Sequence, residues 1–143
     1  MKQMINTTDY AFDVERYKDE ADAIAFAEKL GMDGFELLPC DGGREDFFTG
    51  KSVVGVHLRY YDAWLDFWNG KLEMLALEYG SYEKVKEIFG GLDRSCMIKR
   101  FQEDLKRAAK LGACYVVFHV SDVSAKELFT YQCRHTDEEV IDA

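Results

Sequence analysis

The chain has 143 residues, 48% hydrophobic and 31% charged, which is enough for one globular core and too apolar for a disordered segment. Its 18 basic and 27 acidic residues give a formal charge of −9, and the basic ones are scattered among acidic ones, which argues against a nucleic-acid partner. No run approaches the roughly 18 apolar residues of a membrane span, and the opening MKQMINTTDY holds no apolar signal segment, so a cytoplasmic protein without a membrane partner is expected.

The first strand is expected at Met4 to Thr8, a short apolar run that ends in polar residues. In the segment DVERYKDEADAIAFAEKLG that follows, Ala21, Ile24, Ala25 and Leu30 fall at helical spacing. Gly31 stands where a left-handed C-terminal cap belongs. Strands two and three are expected at Gly34 to Leu38 and at Val53 to Leu58. Between them lies DGGRED, whose glycines lack the spacing of a phosphate-binding loop.

Residues 59 to 91 form an aromatic-rich excursion, with a short helix opened by Ser81. Trp64, Phe67 and Trp68, with Tyr60 and Tyr61, fit either a helix packed on the core or an apolar wall for a sugar ring. In RSCMIKRFQEDLKRAAKLG, the residues Met97, Phe101, Leu105, Ala108 and Leu111 make one stripe, and Gly112 ends it. A fourth strand is expected at Cys114 to Val120. Near the end, Thr136 and Glu139 have the spacing of a capping box.

The sequence of helix, glycine, short turn and apolar strand occurs twice, in KLG-MDGFELL and KLG-ACYVVFHV. It marks an α/β fold with a parallel sheet. Active sites of such folds gather at the C-terminal ends of strands. The residues there are Thr7 to Tyr10, then Glu36 to Asp41, then His57 with Arg59, Tyr60 and Tyr61, and finally His119 with Ser121 and Asp122. His57 and His119, at equivalent ends of strands three and four, could share a metal or a substrate. Each also fits an ordinary rim residue. Glu36 either faces a ligand or pairs with a basic residue. No nucleophile elbow, metal helix or close carboxylate pair is present, and no catalytic residue can be named. Cys40, Cys96, Cys114 and Cys133 form no C-x-x-C pair and are expected as reduced thiols.

Four segments, INTTDYA, GMDGFELLP, VVGVHLRYYDAW and LKRAAKLGACYVVFHVSD, resemble the xylose-isomerase-like barrel family, the sugar phosphate isomerases and epimerases. The resemblance implies the first four strands of a (β/α)8 TIM barrel. A full barrel takes about 250 residues, so residues 1–143 are expected to be a partial barrel that breaks off within the helix after strand four. It implies a divalent metal (Mn, Mg, Co or Zn) and a carbohydrate substrate. His57 and His119 would be metal ligands, and Glu36, Arg59, Tyr61 and Trp64 would contact substrate. The family's remaining ligands and acid/base carboxylates lie on later strands, so this chain alone is expected to be inactive. Two alternatives stay open. Apurinic endonucleases, of the same superfamily, ligate zinc through histidines at the ends of strands three and four, and a non-catalytic half-barrel could pair its open sheet edges in a homodimer.

Overall fold

A computed structural model describes residues 2–44 and 46–143; Glu45, in the DGGRED loop, lies outside the described residues. The chain divides into two compact units, Met1–Arg59 with Glu103–Phe118, and Tyr60–Gln102 with His119–Ala143.

The first unit is built on four strands, β1 Met4–Thr8, β2 Gly34–Leu38, β3 Val53–His57 and β4 Tyr115–Val117. They form one all-parallel sheet in the order β1-β2-β3-β4, flanked by helices. The expected α/β class is therefore observed, and the sequential strand order is that of the first strands of a (β/α)8 barrel. A doubly wound sheet would reverse its order at a switch point. Alternation explains why these segments are strands. Phe35 and Leu37 turn to a core that holds Val14, Ala23, Ala27, Val53 and Val56, while the residues between them face the other way.

Between β1 and β2 the expected single helix is two, α1 Ala11–Val14 and α2 Glu20–Lys29. Asp19 breaks the run, because its side chain accepts from the backbone N–H of Asp22 as an N-cap. The cap also shifts the buried face. Ala23 and Ala27 meet the sheet, whereas Leu30, expected in the stripe, is 51% exposed. The glycine stop at Gly31 is observed, with φ of 72°.

No helix occurs among the described residues of the β2–β3 connection. Phe48 seals that side of the core, its ring 5.3 Å from that of Phe35. Glu20, at the start of α2, accepts hydrogen bonds from the Thr49 backbone and from the Thr49 and Ser52 hydroxyls. Gly34 has φ of +145°, and a Cβ there would stand 2.5 Å from the Ser52 carbonyl, so the close approach of the two backbones requires glycine.

The longest helix, α6 Arg94–Lys110, contributes its second half to this unit. Of the expected stripe, Ala108 and Leu111 are buried and Phe101 and Leu105 are each 37% exposed. Arg107 reaches the end of β1, where its Nη2 lies 2.7 Å from Oδ2 of the buried Asp9. The other oxygen of Asp9 accepts from the Cys40 backbone at 2.7 Å. β4 is shorter than expected, spanning three residues instead of Cys114 to Val120.

The second unit is helical, with α3 Trp64–Trp68, α4 Leu72–Tyr79, α5 Tyr82–Phe89, the first half of α6, α7 Ala125–Thr130 and α8 Asp137–Ile141. Phe67 and Phe89 stack at 4.0 Å in its apolar cluster. Ser81 caps α5, and Thr136 and Glu139 make the expected capping box at α8. A second box, Ser124 with Glu127, opens α7. Residues 122–139 are held to α3 and α4 by buried charge. Asp66, with a fully buried carboxylate, meets Lys71 at 3.1 Å, Arg134 at 2.8 Å and His135 at 2.9 Å. Arg134 also reaches Glu78 at 3.2 Å and Glu127 at 3.4 Å.

Burial alone would raise the Glu127 carboxyl. The Ser124 hydroxyl, the backbone N–H groups of Arg134 and Ser124 and the Arg134 charge outweigh it and hold the group at about 2. Asp122 goes the other way, pushed up chiefly by burial, with the Leu65 N–H opposing. All four cysteines are free, and no helix among the described residues is long and apolar enough to cross a membrane.

Two outcomes are expected. Replacement of Asp9 by Ala removes the acceptor of Cys40 and the buried partner of Arg107, and should lower the unfolding free energy by about 3 kcal/mol in urea titration. Glu127→Gln tests the second unit. A carboxylate held below its ordinary range stabilises the fold above that range and loses the effect as pH falls through the depressed value. The variant should lose about 2 kcal/mol at neutral pH, and its unfolding curves should converge with the parent's towards pH 2.

Candidate functional site

The parallel register sets up the site. Asn6 pairs with Glu36, Glu36 with Gly55, and Gly55 with Tyr115, one row across all four strands. A register shift between Phe35 and Glu36 advances β3 by two residues against one of β2, and this brings Gly55 into the row. Side chains of a row share one face of the sheet, and Thr8 and His57, two residues on along their strands, share it too. This is the face opposite the packed core.

Gly55 has a specific part in the row. The Tyr115 ring occupies the space where a Cβ on Gly55 would stand, so the absence of a side chain lets the ring cross β3. Its hydroxyl then donates to Oε2 of Glu36. The other carboxylate oxygen, Oε1, lies 2.7 Å from Nε2 of His57. Glu36 therefore has a partner on each oxygen. The Tyr115 hydroxyl holds its carboxyl below the usual range, burial opposes, and His57 adds to the lowering. Burial and the adjacent Glu36 push the Tyr115 phenol up to about 12.

At neutral pH Glu36 is thus a carboxylate and Tyr115 a neutral phenol. A carboxylate can only accept, so Nε2 of His57 is the donor of its contact with Glu36. A carboxylate that accepts from an imidazole and so orients it is the arrangement of a general base and its orienting group.

The pair lines a recess of about 290 Å³ together with Asn6, Thr7, Thr8, Asp13, Arg16 and the apolar Ile5, Tyr17 and Leu38. Asp13, from α1, accepts from the Thr8 hydroxyl and pairs with Arg16. The recess sits near the C-terminal ends of β1 and β3, where parallel strands of an α/β fold deliver their functional side chains.

Of the six residues singled out from the sequence, Glu36 and His57 meet directly. Arg59 belongs to the same unit and pairs with Asp41 at 3.0 Å. Tyr61 packs in the apolar cluster of the second unit, stacked on Phe89 at 5.3 Å. Trp64, in α3, donates from Nε1 to the Val120 carbonyl at 3.3 Å. His119, in the second unit, stands edge-on to Tyr60 at 5.6 Å. No group of three or more His, Cys, Asp or Glu side chains able to hold a metal ion occurs among the described residues.

Tyr115 and Asp13 were not singled out from the sequence. Tyr115 is hidden in the apolar run ACYVVFHV, and Asp13 in the helical segment. The available signal was Gly55, since a glycine inside a strand marks the close approach of another group. Because the Tyr115 hydroxyl is the main influence on Glu36, Tyr115→Phe should move the Glu36 titration upward. Carbon-13 NMR of the side-chain carboxyls measures the shift; an unmoved midpoint contradicts the assignment.

Comparisons with protein-family models, with curated proteins and with solved structures each find no match to this chain. Its functional reading therefore rests on its own side chains.

Proposed function

We propose that the recess binds a small polyhydroxylated carbonyl compound, a sugar, and that Glu36 and His57 move a proton between its adjacent carbons. The observation that carries this reading is the 2.7 Å contact of Glu36 with His57 on the open face of a parallel sheet. On this reading the protein is an isomerase or epimerase of the kind that the four family-like segments imply, acting as part of a (β/α)8 barrel architecture.

In this reading the His57 imidazole, held by Glu36, removes the proton from a carbon next to the sugar carbonyl. The electron pair of the C–H bond forms the enediolate, and the imidazolium that results is stabilised by the Glu36 carboxylate. Return of the proton to the neighbouring carbon, with the hydroxyl proton passing from one enediolate oxygen to the other, completes an isomerisation, and return to the other face of the same carbon an epimerisation. Thr8, Asn6 and Asp13 supply the donors and acceptors that sugar hydroxyls require. Arg59 would contact substrate from the end of β3. An endonuclease reading gains less support, because Arg16 and Arg59 are each committed to a carboxylate where a DNA backbone calls for uncommitted cations.

The experiment is solvent exchange. Aldoses and ketoses of three to six carbons are incubated with the protein in D2O, and loss of carbon-bound protons is followed by NMR. Exchange into at least one sugar is expected, reduced by about 10² or more in Glu36→Gln and His57→Gln. Addition of Mn2+, Mg2+, Co2+ or Zn2+ reads the metal requirement that the family resemblance implies. Exchange that survives both substitutions removes the pair from the chemistry.

A further inference from the structure

The charges of the recess narrow the substrate class, an inference that rests on the sugar-binding reading above. The charged or readily protonated side chains among the described lining residues are Asp13, Arg16, Glu36 and His57. Arg16 is the one permanent cation in that set, and its Nη2 is already engaged by Oδ1 of Asp13. The other Asp13 oxygen holds the Thr8 hydroxyl, so the carboxylate is fixed from both sides. The Asp13 side chain is 15% exposed against 56% for Arg16, which places the carboxylate, rather than the guanidinium, in the better shielded position. His57 is turned to Glu36.

A phosphate ester calls for the opposite arrangement. It binds through uncommitted Arg or Lys donors, and its dianion is repelled by carboxylates within a few ångströms. Here two carboxylates and one guanidinium line the recess, and that guanidinium has an internal partner. Uncharged hydroxyls suit the same walls, since they donate to Asp13 and Glu36 and exchange hydrogen bonds with Asn6, Thr7 and Thr8. The volume, about 290 Å³, lies at the small end of ligand sites, which start near 300 Å³.

We propose that the recess selects uncharged polyols and sugars over their phosphate esters, and that Asp13 sets this selectivity by occupying the cation that would otherwise clamp a phosphate.

The test uses the whole chain and three probes, D-fructose, D-fructose 6-phosphate and inorganic phosphate, with binding followed by chemical shifts of Asn6, Glu36 and His57. The free sugar should saturate the recess, and the phosphate ester should bind about tenfold more weakly. Asp13→Asn should raise the affinity for the ester about fivefold and give inorganic phosphate a measurable affinity. If that variant does not fold, Asp13→Ser carries the same test, because it too releases the guanidinium from its internal partner. An ester that binds the parent as tightly as the sugar, or an Asp13→Asn or Asp13→Ser variant with an unchanged ratio, overturns the selectivity alone. Absence of binding by all three probes overturns the sugar reading and this proposal together.

Discussion

The functional face of the first unit depends on one steric fact, that Gly55 has no side chain. The row Asn6, Glu36, Gly55, Tyr115 crosses the sheet, and the gap at its third place is filled by a ring from its fourth. The Tyr115 hydroxyl thereby reaches a strand that it does not pair with. Glu36 is held on one side by this phenol and on the other by His57, and is kept ionised at neutral pH by the first more than by the second. A bulkier residue at position 55 would break the row, and with it the carboxylate that orients the imidazole.

A sheet that carries ionisable groups on one face needs a firm core on the other. The connection from β2 to β3 shows how this is met without a helix. Glu20 gathers the Thr49 backbone and two hydroxyls, Phe48 packs on Phe35, and Asp9 ties the end of β1 to Cys40 and to Arg107 of α6. The buried Asp9 and the half-buried Glu20, each satisfied by several donors, thus do the positioning that a crossover helix would do by apolar packing. Their weakness is also set by this choice, because each becomes costly once a partner is removed.

The second unit uses the same device around Arg134, which serves Asp66, Glu78 and Glu127 at once. Two carboxyls of this unit shift in opposite directions, Glu127 down and Asp122 up. Acid therefore weakens one attachment of residues 122–139 while it favours the protonated form of another.

Much of the architecture was legible in the residues. The strand segments, the left-handed glycines at 31 and 112, the Ser81 cap and the Thr136–Glu139 box are local features, decided by alternation and by backbone hydrogen bonds within a few positions. Local rules also located Glu36 within the second strand and His57 at the end of the third. They failed where distant groups compete: the phase of α2 follows from the Asp19 cap and the sheet it packs on, and β4 stops after three residues of a longer apolar run. The partnership of Glu36, His57 and Tyr115 spans 79 positions of chain. It follows from register, which the pairing of β2 with β3 and of β3 with β4 alone decides. The sequence by itself determined which residues could carry a proton; tertiary structure decided which of them touch, because hydrogen bonds of this kind require atoms within about 3 Å, and only the folded sheet brings them there.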